Sequence, residues 1–542
     1  MEILHCDVLC VGSGAAGLRA AIEAAEMGCR VLCISAGAPG QGTSTVLSGG
    51  VFRGISGNYS PEAHRRDTVI AGRGLNDLKL VDVLVEEAPR RLEELVEWGM
   101  VCERRGPFLF AKGSAPVWGK AISSCLVDKA RSVGVGFVGS TTILRLSSQD
   151  EGMRALGMRR PRGPFVEIRA GAIVLATGGA GALYLRHDNP KGMMGSGYAL
   201  ALELGAQLQD MEFLQFYPVG LAQEGLPPLL IPPRLADKGR LRNTKGEEIL
   251  EKWGISERPA AEKARDKLSQ AMFQEMRQGQ EICLDLGGIS QEDLANDPLS
   301  SSCAELLKRK IGGLERPLKV APMAHFTMGG VRIDPWCRTN VPGFFVAGEA
   351  AGGLHGANRL GGNALTEAIV FGARAGRSAA LWAKENGPRK DSGPLWEAKV
   401  EAEPPELSRK RFLERLRKTM WELGGIIRSR EGLMEARRLL EWQMEEAGFS
   451  WEHRKTETGL HPIFGAATVA MVILEASLRR EESRGAHFRE DFPREDSERW
   501  SGHLIVEGPS LENLRWSFEP LHEEGNFPDD LHRRNTTQDQ ES

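Results

Sequence analysis

No apolar run in the 542 residues approaches the roughly 18 to 20 needed to span a bilayer. The amino terminus, MEILHCDVLCVGSG, has neither the positive n-region nor the small-residue cleavage site of a signal peptide. The expectation is a cytoplasmic chain with no direct membrane insertion, reaching a membrane only through partner proteins. Charge of one sign is also scarce. The formal net charge is -4 and no basic stripe interleaves with aromatics, which argues against nucleic-acid binding. Cysteines are few, nine in all, odd in number and scattered, so disulfides are not expected. Two pairs share a spacing, Cys6 with Cys10 and Cys29 with Cys33, and raise the question of a metal or cluster site. Both lie in apolar, strand-like segments, where residues four apart stand roughly 13 Å apart on one face, too far for two ligands of one metal. They read as buried thiols, and no ferredoxin-type run occurs.

What is present is a soluble globular composition, 41% apolar and 26% charged, in a chain long enough for two or three domains. It opens with a buried strand (CDVLCVGSG), a glycine turn, an alanine-rich helix (AAGLRAAIEAAEMG) and a second strand (CRVLCIS). Such a βαβ unit predicts a doubly wound parallel sheet. Two further apolar runs, AGAIVLATGGAGALY and GFFVAGEAAGG, also end in glycines. Three such strands far apart in sequence predict one nucleotide-binding domain, residues 1–220 and 324–385, interrupted by a capping insertion at 221–323. A helical domain is expected at 394–490, from leucines spaced three and four apart. Residues 491–542 are expected to be a tail, polar and acidic beyond roughly Ser517.

GSGAAG places Gly12, Gly14 and Gly17 between strand and helix. The first permits the turn, the second lets a pyrophosphate approach the backbone, the third lets helix and strand pack, and the helix amino end holds the phosphate charge. The second strand ends at Ser35, where an acid would usually grip a ribose. That disfavours NAD and suits a cofactor held over a longer surface.

These motifs, with TSTVLSGG, LATGGAG, AHFTMGGV, FFVAGEAAGGLHGANRLGGNALTEAIVFG and RGAHFRED, resemble the flavoprotein subunit of succinate dehydrogenase and fumarate reductase, and its relative L-aspartate oxidase. The resemblance covers about residues 5–380 and returns at 484–491. It implies a Rossmann-like α/β FAD-binding domain interrupted by an α+β capping domain and followed by a carboxyl-terminal helical domain. By it, Gly12, Ser13, Gly14, Ala15, Ala16 and Gly17 hold the FAD pyrophosphate and Ser35 the ribose. Ser44, Thr45, Gly49 and Gly50 run beside the isoalloxazine, and Thr177, Gly178 and Gly179 belong to the same site. Glu349, Asn363, Ala364 and Leu365 close it, with His355 nearby. In many relatives a histidine before Thr-Val is bonded to the flavin. Here Ser44 stands near that place and no histidine lies between His5 and His64, so noncovalent FAD is expected.

The resemblance also assigns a substrate site. Arg265 matches the proton-transfer arginine, and His325 and Arg359 match carboxylate-binding residues, a role suited to a planar guanidinium fork. The family pattern QFHPT reads QFYPV here, so Tyr217 replaces a histidine and Val219 a threonine. Ile231 and Pro232 stand where the family commonly has Thr-Glu. One carboxylate is therefore expected at Arg359 and His325, with a larger or less charged group against Tyr217. The implied activity is hydride transfer between flavin N5 and a carbon-carbon double bond beside a carboxylate or carbonyl, on a small unsaturated acid or related anion. An iron-sulfur electron-transfer subunit is the implied partner. Two alternatives stay open: an L-aspartate oxidase-like enzyme, which lacks here the acid expected between Arg105 and Val117 for a substrate ammonium, and a flavin electron-transfer subunit of a larger complex.

Overall fold

The computed structural model describes residues 1–54, 59–113, 118–149, 152–160, 163–295, 297–387, 396, 406–447 and 462–521. At its centre the strand Glu2–Val11 pairs in parallel with Val31–Ile34 on one side and Phe165–Leu175 on the other. The apolar end of the first strand is the buried end, as a strand covered on both faces requires. One edge of Phe165–Leu175 is divided between two partners. Its first half pairs antiparallel with Gly152–Arg159, and its last three residues pair in parallel with Phe344–Val346. The carboxyl ends of three parallel strands, far apart in sequence, thus meet at one place. GSGAAG, TGGAG and GEAAGG follow those strands directly. This is the topological position at which open α/β sheets bind ligands.

Two helices lock this arrangement. Ala15–Glu26 and Asn363–Asn386 pack so closely that a Cβ at Gly376 would stand 2.2 Å from the Ala20 carbonyl oxygen. The alanine and glycine content of both helices exists for that approach.

The insertion has its own antiparallel sheet, ordered Leu214–Leu221, Leu318–Thr327, Ile282–Asp285, Arg240–Asn243, and its own apolar core around Leu241, Leu268, Met272, Leu284 and Leu307. Its two long strands run from one core into the other. Phe216 and Ala324 belong to the large core, whereas Tyr217, Val219, Val320 and Leu318 belong to the cap core. The ladder between these strands shifts register on both sides of Tyr217. Pro218, with no N–H to donate, accounts for the second shift.

The carboxyl-terminal helices Glu406–Glu422, Arg430–Glu446 and Pro462–Arg479 bury Leu416, Leu433 and Val472 in the same continuous core as the central sheet. Residues 394–395, 397–405 and 448–461 of the region expected to be helical lie outside the described residues. The expected tail from 491 is corrected: Gly502–Glu507 pairs with Leu208–Gln209 and with Arg515–Pro520. Polar flanks masked the short alternation HLIVE, in which Leu504, Ile505 and Val506 are buried. Residues 522–542 lie outside the described residues.

This last segment is held by buried charge. Arg480 is fully buried, binds Glu212 through Nε and Glu482 through Nη1 at 3.1 Å, and approaches Asp210 at 3.5 Å. It also donates to the carbonyls of Trp500 (3.1 Å) and Gly502 (3.0 Å). Arg480→Ala leaves buried Glu212 without its cation and takes one of two basic partners from Glu482, which keeps Arg484, and from Asp210, which keeps His503; it is expected to cost about 3–5 kcal/mol in denaturant unfolding. A loss below about 1 kcal/mol would show that the cluster does not hold the segment.

Candidate active site

The first helix begins at Ala15 with Gly14 as its cap, no side-chain bond at that cap and no acid in the first turn. Its amino end is therefore open to an anion. A Cβ at Gly12 or Gly17 would strike backbone, at 2.2 Å from the Ala176 oxygen and 1.9 Å from the Gly12 oxygen. A Cβ at Gly14 would meet only the Thr43 and Thr45 side chains, no closer than 3.6 Å. The first and third glycines pack and the second faces space, as a pyrophosphate cradle requires. Ala16 is buried behind the cradle. Ser13 accepts from the Gly40 amide and Thr45 from the Ala15 amide, both at 3.0 Å, so these side chains shape the loop. Ser35 spends its proton on the Gly37 carbonyl at 2.8 Å and keeps acceptor lone pairs for a ribose hydroxyl.

Ser44 donates to the Met193 sulfur at 3.2 Å. Gly49 lies near Leu299 of the cap helix Pro298–Ile311, and Gly50 packs on Trp118. Thr177 has a buried hydroxyl oxygen with no partner. Gly178 packs on Met193, and a Cβ at Gly179 would stand 2.2 Å from Oε1 of Glu349. Glu349 accepts from the Thr327 amide at 3.1 Å, and burial raises its carboxyl to about 7.

Asn363 opens the second long helix, but its side chain is committed within the protein. It accepts from His64 at 2.8 Å and donates to Thr68 at 3.0 Å. The cap residue Gly362 supplies no side-chain acceptor, and Ala364 and Leu365 are half-buried, so the backbone of this first turn is what can face a ligand. His355 is buried against Glu367 at 2.9 Å and packs edge-on to Phe326. A glycine cradle, an orphan hydroxyl and two uncapped helix amino ends fit an extended dinucleotide.

Beside this lies a cationic cluster. Arg359 donates from Nη2 to Gln215 at 2.9 Å and its guanidinium lies over the Phe326 ring at 4.5 Å. Its Nε is buried without a partner. Burial and, after it, the charge of Arg265 push its pKa down to about 9. Both effects are relieved by a bound anion. Arg265, from the start of the cap helix Arg265–Arg277, is buried with its guanidinium 5.5 Å from the Tyr217 ring centroid. His325 is held through Nδ1 by Asp188 at 2.8 Å, and its ring meets Tyr217 edge-on at 6.0 Å. The Tyr217 hydroxyl donates to the Ile231 carbonyl at 2.6 Å, which places the expected wall of Tyr217, Val219 and Ile231 together.

The structure adds residues that sequence reasoning missed. Asp188 orients His325. Gln215 and Asn358 link Arg359 to Asp266: Gln215 donates to Asn358 at 2.6 Å, and Asn358 donates to Asp266 at 2.6 Å. Burial raises the Asp266 carboxyl. Gln215 and Asn358 lie inside quoted motifs and Asp266 follows Arg265 directly, so polarity beside the assigned residues was the available signal; Asp188 has none. Among the described residues no group of His, Cys, Asp or Glu is arranged to hold a metal ion, and no helix is long and apolar enough to cross a membrane.

A family model described as an FAD binding domain matches residues 7–365, and one described as fumarate reductase flavoprotein C-term matches 413–530. One of the subunits of the CoM/CoB fumarate reductase of Methanothermobacter marburgensis is 32% identical, over 93% of this chain and 97% of its own length. L-aspartate oxidase of Synechocystis sp. is 31% identical, over 93% of this chain and 97% of its own. Among solved structures, the FrdA chain of a single-substitution variant of E. coli quinol fumarate reductase superposes with a TM-score of 0.83 at 27% identity. It covers 97% of this chain and 98% of that one.

The raised Glu349 carboxyl gives a pH signature. Its folded value, about 7, exceeds the ordinary 4.5, so folding takes up a proton between those limits and stability falls as pH climbs through them. Glu349→Gln removes that slope. In urea unfolding of the flavin-free protein, the variant should gain on the wild type by up to about 3 kcal/mol from acid to mildly alkaline pH. Parallel pH profiles would show that Glu349 is ionised throughout.

Proposed function

Since the chain belongs to the flavoprotein family of fumarate reductase and succinate dehydrogenase, and is an FAD-dependent oxidoreductase, we propose that it interconverts a carbon-carbon single and double bond beside a carboxylate or carbonyl. The observation that carries this reading is the convergence of two buried guanidiniums, one with an unpartnered Nε, beside an aspartate-held histidine. Such a cluster is costly to bury empty and is suited to a small organic anion.

FAD, when bound by the cradle described above, supplies two-electron hydride chemistry. The protein's residues do the rest. Arg359 binds a carboxylate, with Gln215 and Phe326 fixing the plane of its fork. Asp188 fixes the His325 ring and leaves Nε2 as the nitrogen available to the ligand. Arg265 exchanges a proton at its guanidinium with the substrate carbon. Asp266, with its raised carboxyl, is the adjoining acid. The cap contributes Arg265 and Tyr217, so it also excludes water from the reacting atoms.

Ser44, bonded to Met193 where many relatives carry a flavin-linked histidine, supports noncovalent FAD. The nine cysteines are free thiols, so an electron-transfer partner carrying its own iron-sulfur cluster suits this chain. An amino-acid oxidase needs an acid for the substrate ammonium, and Asp188, the carboxylate beside His325, is engaged by His325 and Asn189. Alkene chemistry is therefore the better fit.

Acid precipitation should release the flavin entirely into the supernatant; yellow precipitate would mean a covalent bond. Anaerobically photoreduced enzyme should regain oxidised-flavin absorbance when mixed with an unsaturated acid, and not with its saturated analogue. Arg265→Lys should keep its flavin and slow that return on the order of 10²-fold. An unchanged rate would remove the proton-transfer role, and no return with any unsaturated acid would remove the alkene reading.

A further inference from the structure

We propose that the site selects unsaturated acids bearing a single carboxylate, with a neutral group of the substrate lying against Tyr217; this rests on the alkene reading above. The argument is an inventory of donors. A second carboxylate, taken out of water, needs hydrogen-bond donors at the far wall. That wall consists of Tyr217, Val219 and Ile231, all buried and all belonging to the cap core.

Tyr217 has one hydroxyl proton, and it is given to the Ile231 carbonyl at 2.6 Å. What the phenol oxygen retains are lone pairs, which repel a carboxylate. Burial holds the phenol neutral by raising its pKa. The Ile231 amide is spent too, donating to the Val219 carbonyl at 2.9 Å. Pro218 and Pro232, the flanking residues, have no N–H. The phenol proton and the Ile231 amide are thus both used within the wall.

The two basic side chains nearest the ring do not compensate. Arg265 lies over the ring face at 5.5 Å, its Nε donates to the Ala261 carbonyl at 3.4 Å, and it is assigned to proton exchange at the alkene carbon. His325 meets the ring by its edge, is held through Nδ1 by the Asp188 carboxylate, and its remaining Nε2 is assigned to the same carboxylate as Arg359. One carboxylate is provided for at Arg359. The opposite end of the site accepts an alkyl, ester or similar neutral group, which the aromatic face and the Val219 and Ile231 side chains can cover.

Fumarate and its monomethyl ester separate the alternatives, because they share the double bond and differ by one carboxylate. Photoreduced holoenzyme is mixed with each under anaerobic conditions, and reoxidation rates are followed over a concentration series. The half-ester should show an apparent Kd at least about tenfold below that of fumarate. Tyr217→His should shift the preference towards fumarate by about tenfold or more, and Tyr217→Phe, whose wall stays neutral, should keep the wild-type preference. Fumarate taken as well as or better than the half-ester by the wild type overturns the inference and leaves the alkene reading intact. A half-ester preference that Tyr217→His does not move overturns the assignment to Tyr217. Reoxidation by neither compound, nor by a longer 2-enoic acid, overturns the alkene reading and the inference with it.

Discussion

The placement of Gln215 and Tyr217 rests on buried arginines satisfied by long-range partners. Arg480 joins Asp210 and Glu212 to Glu482 and to the carbonyls at 500 and 502, and Arg428 reaches the Glu212 carbonyl at 2.8 Å from the far side. Two residues after Glu212 the strand Leu214–Leu221 begins, and it carries Gln215 and Tyr217. A one-residue slip of that strand would turn Gln215 away from Arg359 and Tyr217 away from Ile231. The ionic cluster therefore does more than hold the last hairpin, because it fixes the start of the strand on which the substrate wall is built. Buried ion pairs add little net stability over apolar packing, but they discriminate strongly against wrong pairings. Register is what this strand needs.

The same strand explains why the site lies where it does. Between Phe216 and Tyr217 it passes from the core of the central sheet to that of the cap, and Leu318–Thr327 makes the return crossing. Tyr217 and Arg265 belong to the cap side. Arg359 and Phe326 are joined to the other side, where Phe326 clusters with Phe213, Met328 and Ala357. In the proposed reading, a ligand held by Arg359 and lying against Tyr217 sits between these two clusters. Fold and chemistry share one geometric cause, the interruption of a nucleotide-binding sheet by an inserted sheet.

How much of this was legible follows from the range of the interactions. The glycine turns are local, and their spacing after apolar runs marked the strand ends that the structure brings into one parallel sheet. Arg265, His325 and Arg359 were legible through their surrounding motifs, and the structure brings Arg265 and His325 onto one ring and sets Arg359 against Arg265 electrostatically. Their partners were not legible. Asp188 lies 137 residues from His325 and Gln215 lies 144 from Arg359, separations that no periodicity encodes. Asn363 shows the opposite failure: its motif marks the helix start correctly, yet its side chain serves His64 and Thr68. The last hairpin was missed because a strand of six residues pairs with a partner about 300 positions away, amid a polar composition that favours a tail.

Charge balance brings these threads together. Burial pushes Arg359 down and Glu349 up, so each is held towards its neutral form by the cost of desolvation, and each eases the other's shift. Asp188 is hydrogen-bonded to His325 Nδ1, and Asp266 is tied to Asn358 beside Arg265. Arg359 has no hydrogen-bonded counter-ion among the described residues, and its Nε has no partner. One carboxylate completes this arrangement. A second would have to be buried against a phenol whose proton is already committed, so the replacement of a potential cation by tyrosine and the closure of the Ile231 backbone act in the same direction. In the proposed reading the wall and the arginine are complementary: the arginine takes one carboxylate, and the wall offers no phenol proton to a second.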